Sequence, residues 1–323
     1  MEFLVLIFVV LAISFIFAKL LEKINLPRIL APISLGIVFN YFNIIDSGKY
    51  INTLEFFSSF AIMMLLFYIG LELNLKDTKK QEKETFFVAL FGFVFSFLLG
   101  FVTFYFLFES SFITSFIVGS ILSVTAESIV IVILEQNKLL RSRVGEVIMG
   151  AGIIDDVAGM LLLAIISILA TSKSFVLTNF IPVFIGLGIF VLGIIFLRYI
   201  SRFIDYIFMN KNFKVYDIFT CSIIFLFLFA TISHFAGLDI SLGAIIFGLL
   251  LNFSLNREGK KGIAEEHDIN RFVKNITFGF LSYFFFFWIG YNFNISMFLD
   301  NPLLGIILVV VAFNAKYIGG LLS

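Results

Sequence analysis

Eleven apolar stretches, each near the length a helix needs to cross a bilayer and each ended by a polar break, leave this chain few folds to choose from. They lie near 2–21, 29–45, 54–73, 85–108, 112–134, 144–171, 175–198, 216–235, 239–255, 276–295 and 302–322. A hydrocarbon core about 30 Å thick takes roughly 20 apolar residues of helix. The pattern therefore predicts an all-α polytopic membrane protein, with 29–45 and 239–255 only just long enough to span. Composition agrees: 61% of the residues are hydrophobic and 14% charged, against about 25% charged in soluble domains, and the mean hydropathy is +1.10.

The N-terminus does not read as a cleavable signal, because Met-Glu stands in place of a cationic start and no small-x-small site follows the first apolar run. The single cysteine, Cys221, excludes an internal disulfide and any multi-cysteine metal site. With zero net charge the chain offers no domain-sized basic surface, so no nucleic-acid partner is expected. Lys and Arg set the expected orientation. Nineteen of the 22 lie in loops that follow odd-numbered stretches, two (Lys49 and Lys173) in loops that follow even-numbered ones, and Lys316 lies inside the last stretch. The positive-inside rule then puts the odd-numbered loops in the cytoplasm and the N-terminus outside, in the cell membrane.

Short repeats run through the chain. Ile33-Ser34-Leu35-Gly36 in the second stretch recurs as Ile240-Ser241-Leu242-Gly243 in the ninth, and Phe67-Tyr68-Ile69-Gly70 in the third is echoed by Phe287-Trp288-Ile289-Gly290 in the tenth. An offset of seven spans is odd, so the second copy is upside down in the membrane, the inverted-repeat plan of many secondary transporters. By this offset the fifth and sixth stretches lack partners before Ser323, which predicts a partial chain missing about two spans.

Four charged side chains fall well inside apolar stretches: Glu127, Asp155, Asp156 and Lys316. A charge at mid-bilayer costs about 2.5–3.5 kcal/mol even on the lenient insertion scale, and such residues usually face a bundle interior or a wet cavity on an ion or proton path. Adjacent helical residues point about 100° apart, so Asp155 and Asp156 cannot both aim at one small ligand along the same direction. One facing an ion cavity and the other a cationic partner is the natural division, and Lys316 is the mid-span cation available. Gly150, Ala151, Gly152, Ala158 and Gly159 around them permit close helix approach. A desolvated carboxylate must hold a proton or a cation, so the two compete; the passive reading is a buried polar pair that only ties helices together.

Ser123-Val124-Thr125-Ala126-Glu127-Ser128 puts three hydroxyls and a carboxylate into six residues of the fifth stretch. Hydroxyls there satisfy backbone groups freed by an unwound helix or offer oxygens to a cation, though ordinary helix–helix hydrogen bonds would also account for them. Glu72 near the end of the third stretch is expected to snorkel into water, Asp239 to start a helix, His234 to be packed or solvated, and Asn314 to hydrogen-bond in the core. No P-loop, zinc motif or dinucleotide fingerprint is present.

In this order, Leu66-Phe67-Tyr68-Ile69-Gly70-Leu71-Glu72, Thr125-Ala126-x-Ser128, Ala151-Gly152-Ile153-Ile154-Asp155-Asp156-Val157, Gly237-Leu238 with Leu242-Gly243-Ala244 and Gly248, and Ala315-Lys316-x-x-Gly319 are specific as a set. Over nearly the whole chain they resemble the monovalent cation–proton antiporter superfamily, most closely its electrogenic sodium–proton branch of double-aspartate type. The resemblance implies an inverted-repeat fold of thirteen spans, about eleven of them present here, with broken helices crossing at the ion site, and a homodimer in which one bundle forms the interface while another, the core, moves in an elevator-like cycle. Within a single domain, 1–323, it implies a core bundle of 54–171 with 302–323 and a dimerisation and scaffold bundle of 1–53 with 175–295. It further implies that Asp156 binds Na⁺ and exchanges protons, that Asp155 pairs with Lys316, and that Thr125 and Ser128 lie at the first helix crossing. Glu127 joins these as a candidate ion or proton ligand and departs from the family pattern, where this position is more often small or hydroxylic.

The expected activity is exchange of Na⁺ or Li⁺ for H⁺, with no cofactor beyond the transported ions. Exchange of K⁺ is the nearest alternative, and Asp155 favours sodium because potassium relatives often carry a neutral residue there. A distant alternative is an intramembrane aspartic protease. That chemistry needs two carboxyls sharing a proton from facing elements, whereas this pair is adjacent on one helix.

Overall fold

The structure is a computed structural model that describes residues 3–45, 50–72, 81–171, 188, 215–235, 240–256 and 260–322; Asp239 and all of the seventh apolar stretch but residue 188 lie outside the described residues. Every regular element among them is helical: α1 (Phe3–Lys23), α2 (Leu30–Tyr41), α3 (Ile51–Glu72), α4 (Glu82–Val102), α5 (Phe112–Ser123), α6 (Glu127–Gln136), α7 (Arg143–Thr171), α8 (Val215–Phe235), α9 (Ile240–Asn256), α10 (Lys260–Ile276), α11 (Ser282–Tyr291), α12 (Ile295–Asp300) and α13 (Pro302–Leu321). Among the described residues, six continuous helices, α1, α3, α8 and α13 among them, are long and apolar enough to cross a membrane. The chain is an integral, multi-pass membrane protein.

Two stretches differ from their sequence outlines. The fifth is two helices, α5 and α6, separated by an extended segment at Val124–Ala126. The tenth begins sixteen residues early: α10 continues through a π-helical turn, Thr277–Leu281, into α11. Arg271 and Lys274, read from the sequence as loop cations, therefore stand on a helix. The reason is amphipathicity, since Ile269 and Val273 are buried four residues apart while the charged residues between them depress the local hydropathy that marks a span.

The described helices form two packing groups. In one, α3 lies against α9 and α11, α2 against α11 and α1, and α8 against α9; in the other, α4 is the hub that holds α5, α7 and α13. Helix α3, placed by the resemblance with the core bundle, thus packs on α9 and α11. It is buried on every side from Met63 to Leu71, as a helix that is apolar all round requires.

Glycines set the seams. A Cβ on Gly36 in α2 would overlap the backbone of Phe287–Tyr291 in α11, and one on Gly70 in α3 would come within 2.8 Å of Gly248 Cα in α9. Each seam joins a helix of the first repeat copy to a helix of the second. This is the pairing of helices that the inverted repeat predicts, because a contact between second and tenth spans is then matched by one between ninth and third. Without a hydrophobic force between helices in lipid, such close backbone approach is a main source of association. In the other group Gly319 seats α13 on Phe91 and Gly92 of α4, and Gly119 seats α5 on Phe97 and Phe101 of the same helix.

Gly70→Ala should lower the stability of the detergent-solubilised protein by about 1–3 kcal/mol, the usual cost of overpacking a tight contact. Gly279→Ala, whose added methyl meets nothing within 4 Å, should leave the thermal unfolding midpoint unchanged.

Candidate functional site

The break between α5 and α6 is built from its residues. Ser120 and Ser123 donate their hydroxyls to the carbonyls of Phe116 and Ser120 at 2.8 and 2.7 Å, which loosens the last turn of α5 by local competition for the backbone. Val124 then turns extended, at φ −75° and ψ 134°. It can lie there because residue 159 of α7 is glycine: a Cβ at that position would meet Val124 Cγ2 at 2.9 Å. Asp155 stands one helical turn before Gly159, so it shares the face of α7 that receives the break.

Lys316 of α13 reaches the same point. Its Nζ donates to the Ser123 carbonyl at 2.8 Å and to Thr125 Oγ1 at 2.7 Å, and lies 3.5 Å from Asp155 Oδ2. Thr125 Oγ1 in turn donates to Asp155 Oδ2 at 2.8 Å. The ammonium therefore satisfies a carbonyl left without a partner at the C-terminal end of α5, where the helix dipole also favours positive charge. The hydroxyl accepts from the cation and spends its own hydrogen on the carboxylate. Asp155 is buried, and its Oδ1 has no hydrogen-bond partner among the described residues. Beside it lies a cavity of about 450 Å³ reached by Thr125, Gly152, Asp155 and Lys316 and otherwise walled by side chains such as Ile69 and Ile245. That is far above the roughly 10–15 Å³ that admits a water molecule.

Of the residues singled out from sequence, Thr125, Asp155 and Lys316 are thus brought together. Asp156 follows Asp155 in α7, and Glu127 and Ser128 open α6; their side chains lie outside the described residues. Three contributors escaped the sequence reading: the Ser123 carbonyl, the fit of Gly159 to Val124, and Gly92, on which Gly319 sets the helix of Lys316. A backbone acceptor has no signature in residue type, and Gly92 is one of 23 glycines. Asn314 bonds to Val310 O in its own helix at 2.7 Å rather than across the core. Glu72 does not snorkel: its side chain is 5% exposed and paired with Arg141.

Truncating one member of a buried pair leaves the other uncompensated, at a cost of about 3–5 kcal/mol. Lys316 is a third exposed, so Lys316→Gln should cost about 3 kcal/mol at most. Adding Asp155→Asn should recover most of that loss in thermal unfolding of the solubilised protein. Thr125→Val should cost about 1–3 kcal/mol, and Thr125→Ser much less.

Comparison with known proteins joins this geometry to a family. Over 98% of its length the chain is 26% identical to the probable Na(+)/H(+) antiporter 3 of Methanocaldococcus jannaschii, covering 79% of that protein. Over 99% it is 25% identical to the Na(+)/H(+) antiporter of Enterococcus hirae, covering 81%. The fold is similar to the structure of the sodium proton antiporter MjNhaP1 from Methanocaldococcus jannaschii, with a TM-score of 0.74 at 18% identity over 99% of this chain and 78% of that one. The profile described as "Sodium/hydrogen exchanger, transmembrane" matches residues 6–323, and the chain belongs to that family of transporters.

Proposed function

We propose that this chain exchanges Na⁺ or Li⁺ for H⁺ across the cell membrane, the ion and protons competing at the site that Asp155 and Asp156 form in an alternating-access cycle. The observation that carries the reading is the junction of Asp155, Thr125 and Lys316 at a broken helix beside a cavity, in a chain of the sodium/hydrogen exchanger family. The antiporter names of the two relatives favour sodium over potassium.

The division of labour follows from charge. Lys316 compensates Asp155, so in this reading Asp155 stays ionised and fixes the break. Asp156 is left as the group that must take either a proton or a cation, with Thr125, Ser128 and Glu127 as further oxygens near the ion. Two neighbouring carboxyls titrate as a unit, and whichever occupant fills the site evicts the other. The helices α4–α7 and α13 make up the moving bundle, and α3 stays with the scaffold it packs on. The homodimer and the outside N-terminus belong to the same reading, supported by the resemblance and by the distribution of Lys and Arg.

The test is dye-based proton exchange in liposomes, with Na⁺, Li⁺ and K⁺ supplied separately. Sodium and lithium should each drive proton movement, and the apparent sodium affinity should weaken about tenfold per pH unit below the site's apparent pKa for each competing proton. Asp156→Asn should abolish exchange; a fully active Asn variant would remove the competition mechanism. Glu127→Thr should change the order of the three cations, and an unchanged order would make Glu127 a bystander.

A further inference from the structure

Another cavity, of about 520 Å³, lies at the end of the molecule where α3 finishes and α7 begins. Glu72 and Tyr68 from α3, Glu135 from α6, Arg141 from the turn before α7, and Asn270 and Lys274 from α10 meet there. Arg141 forms a two-bond pair with Glu72, its Nη2 donating to Oε1 at 3.0 Å, and Asn270 Nδ2 donates to the same oxygen at 3.4 Å. Glu135 pairs with Lys274 and accepts from the Tyr68 hydroxyl at 3.3 Å.

The two ion pairs share one property. Glu135 and Arg141 lie on the segment that carries the aspartates and the broken helix, whereas Glu72, Tyr68 and Lys274 lie on α3 and α10 of the other group. The glycine seams among the described residues are within a group. Between the groups, helix contact among the described residues is thin and runs chiefly through α3 and α6, where Ile131, Val132 and Leu134 join the apolar core of α3, and these charged bonds stand at the end of that contact. Helix α6 makes the location consequential: its N-terminus opens at the break beside Thr125, and Glu135 is near its other end, about 12 Å away at 1.5 Å per residue. A tie at Glu135 therefore holds one end of a rod whose other end borders the ion site.

We infer that the Glu135–Lys274 and Arg141–Glu72 pairs form a clamp that closes and opens once per transport cycle, holding α6 against α3 and α10 in the arrangement described here. The inference rests on the alternating-access reading above. A slide of the aspartate-bearing group by one helical turn, about 5.4 Å, carries each carboxylate out of reach of its cation, since charge-assisted bonds need heavy atoms within about 3 Å. The clamp then favours the clamped arrangement by its own strength, and a two-state equilibrium shifts by that amount when it is removed. Glu72 and Glu135 are positioning residues in this scheme, acting on the ion site through α6.

The experiment uses the full chain carrying Cys221→Ser. Glu135→Cys with Lys274→Cys should cross-link under mild oxidation, stop Na⁺-driven proton exchange in liposomes and recover on reduction. Nitroxides on Val144→Cys and Tyr216→Cys, both exposed, read the spacing of the two groups by pulsed electron resonance without any need for transport. Lys274→Gln and Glu135→Gln should each cut the ratio of the clamped to the other distance component about three- to tenfold, and the exchanged pair Glu135→Lys with Lys274→Glu should restore it. Full exchange by the cross-linked protein overturns the clamp. So does an unchanged ratio in both single variants, or a failure of the exchanged pair to restore it. If the parent protein moves no protons with any alkali cation, the exchange reading fails, while the distance measurement still decides the clamp.

Discussion

A helix that breaks inside a membrane leaves carbonyls that no water reaches, and in this protein one ammonium group answers that problem. Lys316 binds the freed carbonyl of Ser123, the hydroxyl of Thr125 and the charge of Asp155 within a sphere of 3.5 Å. Three helices that are far apart in sequence, α5, α7 and α13, are tied by it to a single point. Each partner needs the others. Without the lysine, the carbonyl and the carboxylate are both uncompensated; without the break, the lysine has no carbonyl to cap; without glycine at 159, the extended Val124 has nowhere to lie. The acid that is costly in lipid and the base that is costly in lipid reduce each other's cost, and unpaired backbone supplies the reason for their meeting.

The remainder of the fold sets this point between two bodies of different construction. The group around α3, α9 and α11 is joined by backbone-to-backbone seams at Gly36 with Gly290 and Gly70 with Gly248, which leave no slack for sliding. The group around α4 is joined by a second set at Gly119 and Gly319. Between them the contacts are sparse and, at one end, ionic. Along the rest of the boundary Ile131, Val132 and Leu134 of α6 meet the apolar core of α3 without a glycine seam, and exposed ion pairs exchange water for partners at small net cost, whereas a glycine seam cannot part without losing its packing.

The sequence made the membrane class, the charged residues of the site and the place of the helix break legible, for one shared reason: each departs from what lipid tolerates. Asp155 and Lys316 stand out because a charge in an apolar run is rare, and Ser123 to Ser128 because hydroxyls cluster where backbone must be satisfied. What stayed hidden lacks that contrast. Helix α10 mixes charges with buried Ile269 and Val273, so hydropathy blurs it into a loop. Glu72 is near a helix end, where snorkelling is the default, and its true partner Arg141 is 69 residues away with no spacing rule to join them. The grouping of α3 with α9 and α11 depends on which glycine faces which, and apolar pattern alone leaves every side of α3 equivalent.

The hydrogen bonds at Thr125 have a direction. The ammonium gives to the hydroxyl oxygen, so the hydroxyl hydrogen is committed to Asp155 Oδ2. The lysine fixes which way that O–H bond points, and the strength of the bond follows the charge on the oxygen that accepts it, since a carboxylate accepts more strongly than a neutral carboxyl. A vibrational band of the threonine hydroxyl would then report the electrical state of the buried acid from inside the protein, with no label introduced.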